Sequence, residues 1–140
     1  MSAESSNMLK LEIVTPDGTA YAEDVEMVTV PGVEGQLGIY PNHVPVMTQM
    51  VPGEIIVQKD GGDHFLAVGE GLIEITGGHV SILTDMAIAA EHIDEAKVEE
   101  ARRRAEARLQ EKLSDEEVAA TSASMARSLA QLHVKRRRHN

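Results

Sequence analysis

The sequence has no cysteine and no tryptophan, and only three of its 140 residues are aromatic: Tyr21, Tyr40 and Phe65. Because cysteine is absent, disulfides, thiolate metal sites and cysteine nucleophiles are excluded. So few rings do not supply a surface on which single-stranded nucleic acid stacks. No apolar run approaches the roughly 18–20 residues that span a bilayer. We therefore expect a soluble protein that stays in a reducing compartment.

Glycine, proline and positive charge are distributed unevenly along the chain. All 11 glycines lie at or before Gly78, and all five prolines lie at or before Pro52. Residues 1–90 carry 2 basic and 13 acidic side chains, whereas residues 91–140 carry 11 basic and 10 acidic ones. This break predicts a turn-rich, acidic first part joined to a second part without turn residues and dense in charge.

The first part has the pattern of short strands joined by tight turns. Apolar residues alternate with others from Leu9 to Ile13, and 15–18 (Thr-Pro-Asp-Gly) is a turn sequence. The Gly pairs at 61–62 and 77–78 are typical of two-residue hairpins, and 31–35 is expected to be a loop. We predict a small antiparallel β-sandwich over residues 8–88, after a flexible N-terminus at 1–7. Further strands are expected at 21–23, 25–30, 37–40, 44–50, 54–59, 64–68, 72–76 and 79–84.

The second part is predicted to be an antiparallel two-helix hairpin over 94–140, reached through a linker at 89–93. Asp94 is suited to cap the first helix, and Ser114 with Glu117 forms a capping box that starts the second. Because the seam is mostly Ala and Ser, it buries little apolar surface, so we expect the hairpin to need a docking surface and to be mobile. One stripe of the second helix is expected to pack: Val118, Ser122, Met125, Ala126, Leu129, Leu132 and His133.

The side chains suggest no catalytic centre. The six histidines lack metal-ligand spacing, and three of them on a β scaffold would only imitate a metal site, so we expect no catalytic residue, no metal and no required cofactor. The segment 32–38 is rich in glycine but has no lysine and opens no helix, so it is a poor phosphate loop. The basic residues 135–138 are either a solvated helix end or a contact for an acidic partner. Nucleic acid is disfavoured because the acidic first part would repel it.

Residues 31–45, Pro-Gly-Val-Glu-Gly-Gln-Leu-Gly-Ile-Tyr-Pro-Asn-His-Val-Pro, resemble the characteristic loop and strand of the epsilon subunit of F-type ATP synthase, bacterial type. The similar features are Gly-x-Leu-Gly-Ile followed by Pro-x-His-x-Pro. Segments 14–18, 24–28 and 68–74 support the resemblance, which extends from Leu9 to His133. It implies a non-catalytic central-stalk subunit of the rotor whose sandwich contacts the gamma subunit and the ring of c subunits during ion-driven ATP synthesis. The residues implied at this rotor interface are Gly35, Gln36, Leu37 and His43.

The resemblance implies a regulatory role for the hairpin. In bacterial relatives the hairpin lies folded on the sandwich or extends into the alpha/beta catalytic head, where basic side chains meet an acidic loop of the beta subunit and block ATP hydrolysis. The residues implied here are Arg127, Lys135, Arg136, Arg137 and Arg138.

ATP is a further ligand that the resemblance suggests. Some relatives bind it through Ile/Leu-Asp-x-x-Arg-Ala at the start of the hairpin. This chain keeps Ile93 and Asp94, but Lys97 replaces the arginine and Val98 the alanine, which predicts at most a weak regulatory ATP site. Lysine lacks the planar fork of arginine, and Asp94 is explained equally well as a helix cap.

Location and two other classes of protein stay open at this point. Residues 1–7 resemble neither a signal peptide nor a transit peptide, so we expect the cytoplasmic face of a bacterial plasma membrane, with membrane association only through the complex. A plastid-encoded protein would also lack a transit peptide. The alternatives are a free-standing β-sandwich binding module whose hairpin mediates association, and a small metal-dependent sandwich enzyme. The Ala/Ser seam disfavours a helical dimer.

Overall fold

The computed structural model describes residues 8–137, and the expected flexible N-terminus at 1–7 and the last residues of the basic tail, 138–140, lie outside this range. Within it, ten strands precede two helices, α1 (Glu95–Leu109) and α2 (Asp115–Arg137), and a short 3₁₀ helix at Ala90–His92 joins the two parts. The strands are β1 (Leu9–Thr15), β2 (Gly18–Val25), β3 (Met27–Gly32), β4 (Gly35–Ile39), β5 (Val46–Met50), β6 (Gly53–Lys59), β7 (Gly62–Val68), β8 (Gly71–Thr76), β9 (His79–Thr84) and β10 (Ala87–Ala89).

The strands form one sheet in the order β10-β7-β6-β3-β5-β8-β9-β1-β2, with β4 paired to β3, and it folds into a sandwich. The predicted fold class, a β-sandwich followed by a helical hairpin, is confirmed. Among the described strands, β1 and β9 run parallel, whereas the other pairs are antiparallel. The alternating residues predicted in β1 face the core, where Leu9, Leu11 and Ile13 are fully buried. Period-2 patterning therefore predicts the buried face of the sandwich correctly.

Two of the predicted turns are confirmed and two are displaced. The turn at 15–18 joins β1 to β2, and Gly77-Gly78 joins β8 to β9. The turn between β6 and β7 is instead Asp60-Gly61, both with positive φ, while Gly62 already pairs with Lys59. The loop predicted at 31–35 is a hairpin with a two-residue turn at 33–34, because Gly32 and Gly35 pair across it. A glycine pair marks a hairpin but does not fix its register.

Both predicted helix starts are confirmed. The Asp94 carboxylate accepts a hydrogen bond from the Lys97 amide at 3.2 Å. The Glu117 amide donates to the Ser114 hydroxyl at 3.2 Å, and the Ser114 amide donates to the Glu117 carboxylate at 3.1 Å. These bonds satisfy amides that the first helical turn leaves without partners. They stabilise the two helices that form the hairpin.

The hairpin is docked on the sandwich. A second apolar cluster, centred on Leu132 and Val134 of α2, packs against Ala67 of β7, and Ala90, Ile93 and Val98 complete it. The expectation that a seam of small residues needs a docking surface agrees with this arrangement. α2 lies across β6 and β7 as well as along α1.

The predicted packing stripe of α2 is wrong in most positions. Val118 and Leu129 are 41% and 47% exposed, and Ser122 and His133 are exposed too. The buried residues of α2 are Thr121, Ser128, Ala130, Leu132 and Val134. The prediction assumed one packing face, whereas α2 packs on α1 with one side and on the sheet with another. A helix with two neighbours buries residues on two of its faces, and a single stripe does not describe both.

Gly71 provides a test of how closely β8 and β9 approach. A Cβ atom there would lie 1.9 Å from the Leu83 carbonyl oxygen, a backbone atom that cannot rotate away. We expect Gly71→Ala to lower the free energy of unfolding by about 3 kcal/mol. Gly62→Ala is the matched control, because a Cβ there meets no heavy atom within 4 Å. Urea unfolding followed by circular dichroism measures both, and equal stability of the two variants would contradict the packing described here.

Candidate rotor interface and hairpin contacts

An exposed apolar surface covers the outer face of neighbouring strands of the sandwich. Leu72 of β8 lies directly opposite Leu83 of β9, and Leu83 is paired in turn with Val14 of β1. Leu72 is 43% and Leu83 54% exposed. Val33 and Val51 extend this surface, since both adjoin β5 and contribute with Leu72 to one shallow groove. We call these five residues the outer apolar patch.

The patch exists because two strands depart from strict alternation. In β8 and β9 the pairs Leu72-Ile73 and Ile82-Leu83 place one apolar residue in the core and the next on the outside. Met47 of β5 adds another exposed apolar side chain, opposite Glu74 on the same face. The consecutive apolar pairs were the signal that sequence reasoning missed. Ile73 and Ile82 are the core members of these pairs, whereas Leu72 and Leu83 lie outside the buried core.

The structure places the predicted rotor residues in two segments, of which the one with Gly35, Gln36 and Leu37 adjoins the patch through Val33. Gly35 follows the tight turn between β3 and β4 with φ of +120°. Gln36 is exposed on β4, and Leu37 packs partly against the core. His43 lies in the segment before β5, half-buried, with Nδ1 2.7 Å from the Val44 carbonyl oxygen. The positions suit contact for Gln36 and a backbone or packing role for the other three residues, whose part in a rotor interface stays a prediction.

The basic residues predicted to reach another subunit are engaged within this chain. Arg127 donates to Asp85 at 3.1 Å, and the Lys135 ammonium lies 3.4 Å from the Ala90 carbonyl oxygen. Arg138 lies outside the described residues. These contacts hold α2 against the segment that leads into the hairpin.

Arg136 and Arg137 bind acids on two different elements. Arg136 donates to Glu95 at 2.8 Å and to Glu99 at 3.1 Å, which ties the end of α2 to the start of α1. Arg137 forms an ion pair with Glu54 of β6. The hydrogen bond from Arg102, with a further one from Arg136, lowers the pKa of the Glu99 carboxyl. The same cations that are expected to contact the catalytic head therefore stabilise the docked hairpin.

The residues predicted to bind ATP have structural roles here. Ile93 is buried in the second apolar cluster, and the Asp94 carboxylate caps α1. Lys97 is exposed. ATP binding by these residues stays a prediction.

Residues 8–137 lack two features that would indicate other kinds of site. No group of three or more His, Asp or Glu side chains there is arranged to hold a metal ion. Neither helix in this range combines the length and the apolar character that crossing a membrane requires.

Comparison with known proteins decides the family. The beta-sandwich domain of the ATP synthase delta/epsilon chain matches residues 8–90, and the long alpha-helix domain of the same chain matches residues 91–136. The chain belongs to the delta/epsilon family of ATP synthase subunits. The ATP synthase epsilon chain of Bacillus licheniformis is 38% identical over 128 residues, which are 91% of this chain and 98% of that relative.

Two solved structures share the fold of this epsilon-type subunit. A chain in the mitochondrial ATP synthase of Euglena gracilis (OSCP/F1/c-ring) superposes with a TM-score of 0.75 at 22% identity, covering 91% of this chain and 80% of that one. A chain in the central stalk and c-ring structure from Tetrahymena thermophila gives a TM-score of 0.61 at 12% identity, covering 91% and 96%. At these identities the likeness concerns the fold alone.

Family membership confirms the resemblance predicted from residues 31–45. The epsilon-type subunit is a non-catalytic part of an F-type ATP synthase and belongs to its central stalk. The family assignment excludes the two alternative classes of protein, the free-standing binding module and the metal-dependent sandwich enzyme.

The pairs between the helices are testable through their salt dependence. Arg136→Gln removes the pairs with Glu95 and Glu99, so we expect amide hydrogen exchange at the end of α2 to be about threefold faster at low salt. The difference should vanish near 0.5 M salt, because exposed ion pairs are screened there. Arg104→Gln is the control, since its pair with Glu100 lies within α1. Equal acceleration by both substitutions would show that the interhelix pairs have no specific effect.

Proposed function

We propose that the sandwich attaches this epsilon-type subunit to the gamma subunit and the c-ring, and so couples the two during ion-driven ATP synthesis. The outer apolar patch is the observation that carries this proposal. Scattered exposed leucines are ordinary, whereas apolar side chains adjoining one another across three strands mark a surface that another protein covers. The hairpin leaves this face free, because it docks on β6 and β7 instead.

The β3–β4 turn supports a second contact beside the first. Val33 belongs to the patch and to this turn, so a partner on the patch lies next to Gly35 and Gln36. We assign the patch to gamma and the tip of the turn to the c-ring. Gln36 is uncharged, so its contact with the ring relies on hydrogen bonding.

We propose further that the hairpin inhibits ATP hydrolysis when it leaves the sandwich and enters the alpha/beta head. The charge distribution supports this role, since the first 90 residues carry 2 of the 13 basic side chains and the last 50 carry 11. Leaving the sandwich releases Arg127, Lys135 and Arg137 from Asp85, Ala90 and Glu54, so they become available to acids of the catalytic subunit. Arg136 pairs with Glu95 and Glu99 of α1, so it becomes available only when the two helices also separate. We propose separately that the subunit acts at the cytoplasmic face of a bacterial plasma membrane, where the complex holds it.

The stalk contact is tested by placing a charge in the patch. Leu72→Glu together with Leu83→Glu puts two carboxylates into the proposed contact, and we expect affinity for isolated gamma to fall at least about 100-fold. Val118→Glu is the matched control, because Val118 is as exposed as Leu72 but lies on α2. Biolayer interferometry with immobilised gamma measures the affinities. Unchanged binding by the double variant, with its fold intact by circular dichroism, would refute the assignment.

Inhibition is tested by titrating the subunit into an epsilon-free catalytic head while ATP hydrolysis is followed. We expect saturable inhibition by the full chain, and relief when residues 114–140 are deleted. Changing the four cations at 135–138 to glutamine should weaken inhibition at least about tenfold, because each loses an attraction to the acidic loop. Gamma binding serves as the control, since the hairpin variants should keep it. Full inhibition by the four-site variant would remove the proposed role of the basic residues.

A further inference from the structure

Glu54 is a carboxylate in an unusual place. It belongs to β6 on the outer face of the sandwich, directly opposite Ala67 of β7, and is only 6% exposed. The core side of β6 is occupied by Ile55 and Val57, so the sandwich core does not bury Glu54. α2 packs over β6 and β7, and its Arg137 contacts the carboxylate, so docking of the hairpin is what removes Glu54 from water.

Among the described residues, only one of the two carboxylate oxygens of Glu54 has a polar partner. Oε1 forms an ion pair with Arg137, whose guanidinium lies 5.7 Å from the centre of the Phe65 ring. Oε2 is buried without a hydrogen-bond partner among the described residues. A half-satisfied buried carboxylate is costly, because ionised oxygens lose more hydration than one arginine restores.

Among residues 8–137, the charged and titratable groups that act on Glu54 both lie on α2. They are Arg137 and His133. β7 contributes Ala67 and Phe65 at this position, and β3 on the other side contributes Pro31 beside Gly53. Burial raises the pKa of Glu54 above its ordinary value, although the charges of Arg137 and then His133 oppose that change.

We propose that Glu54 makes docking of the hairpin sensitive to protons. When the hairpin is docked, Glu54 takes up a proton more readily than when it is exposed, so acid favours the docked state. The reaction is the binding of one proton to the carboxylate, with no other bond formed or broken. This inference concerns docking itself and holds whether or not the free hairpin inhibits the catalytic head.

The sign follows from linkage. A carboxyl whose pKa is higher in the docked state binds more protons there, so docking weakens as pH rises from the ordinary carboxyl pKa through the raised one. Above that range Glu54 stays ionised, and the docked state then depends on the ion pair between Glu54 and Arg137. His133 is the other charge-bearing side chain of α2 that acts on Glu54, so its contribution must be separated from that of Glu54 by experiment.

The chain has no cysteine, which allows one introduced thiol to report undocking. Ala67→Cys places it under α2, and Val57→Cys places it in the sandwich core, on the side of β6 that α2 does not cover. The rate of reaction with a disulfide reagent is measured from pH 5 to pH 8. Each rate is divided by that of the same variant unfolded in urea, which corrects for thiolate content.

In the Ala67→Cys protein we expect the corrected rate to rise at least about threefold from pH 5 to pH 8, because the docked state binds the proton of Glu54 more tightly than the undocked state does. Adding Glu54→Gln should make the rate independent of pH within about twofold. Adding Arg137→Gln should raise the rate at pH 8 at least about tenfold and leave it near the parent rate at pH 5, because the ionised carboxylate then has no partner.

Three results would overturn the proposal. The first is a pH dependence that persists with Glu54→Gln but disappears with His133→Gln. The second is a parent rate that does not change with pH. The third is labelling of the Ala67→Cys protein no faster than labelling of the Val57→Cys protein at any pH, which would show that the hairpin does not undock separately from the sandwich.

Discussion

The arrangement of this subunit depends on the packing of the last turns of α2 against the outer face of β6 and β7. Leu132 and Val134 are the large apolar side chains that α2 contributes to this contact. Burying each contributes roughly 1.5–3 kcal/mol, while ordering the chain costs about 1–2 kcal/mol per residue. Docking therefore depends on a small apolar contact and on ion pairs around it, and a modest change in either shifts the balance.

The ion pairs surround this contact on several sides and differ in their surroundings. Arg127 with Asp85 and Arg136 with Glu95 are partly exposed, so water and salt weaken them. Glu54 differs because its side chain is almost fully buried while that of Arg137 is half exposed. The pair of Arg127 with Asp85 contributes a weak, salt-dependent attraction between hairpin and sandwich, and the pair of Arg136 with Glu95 joins the two helices of the hairpin. The buried carboxylate of Glu54 couples docking to its own protonation state.

Much of this structure could be predicted from the sequence, because local chemistry determines it. Asp94 and Ser114 mark the helix starts, since a capping side chain bonds amides within the same turn. The core face of β1 follows from alternation. The packed faces of α2 could not be predicted in the same way, because they depend on which neighbours the helix meets. Val118 and Leu129 look like core residues in the sequence and are exposed in the fold.

The candidate sites show the same limit. The resemblance at 31–45 directs attention to Gln36 and His43. The outer apolar patch is assembled from β1, β8, β9, the β3–β4 turn and the residue after β5, and it becomes visible only when these segments lie side by side. Ion pairs such as that of Glu54 with Arg137 join residues 83 positions apart and leave no local pattern. Sequence predicts which residues are charged, and the fold decides which of them meet.

The sandwich uses two parts of its outer surface for two tasks. The strand order places β6 and β7, which carry the hairpin, on one side of β3, and β8, β9 and β1, which carry most of the patch, on the other. A partner that covers Leu72 and Leu83 therefore does not compete with α2 for the same strands. The proposed stalk contact and the proposed movement of the hairpin therefore use different strands, and neither surface is needed to complete the other. On these two proposals, one small subunit is a permanent part of the stalk and also carries an element whose position changes.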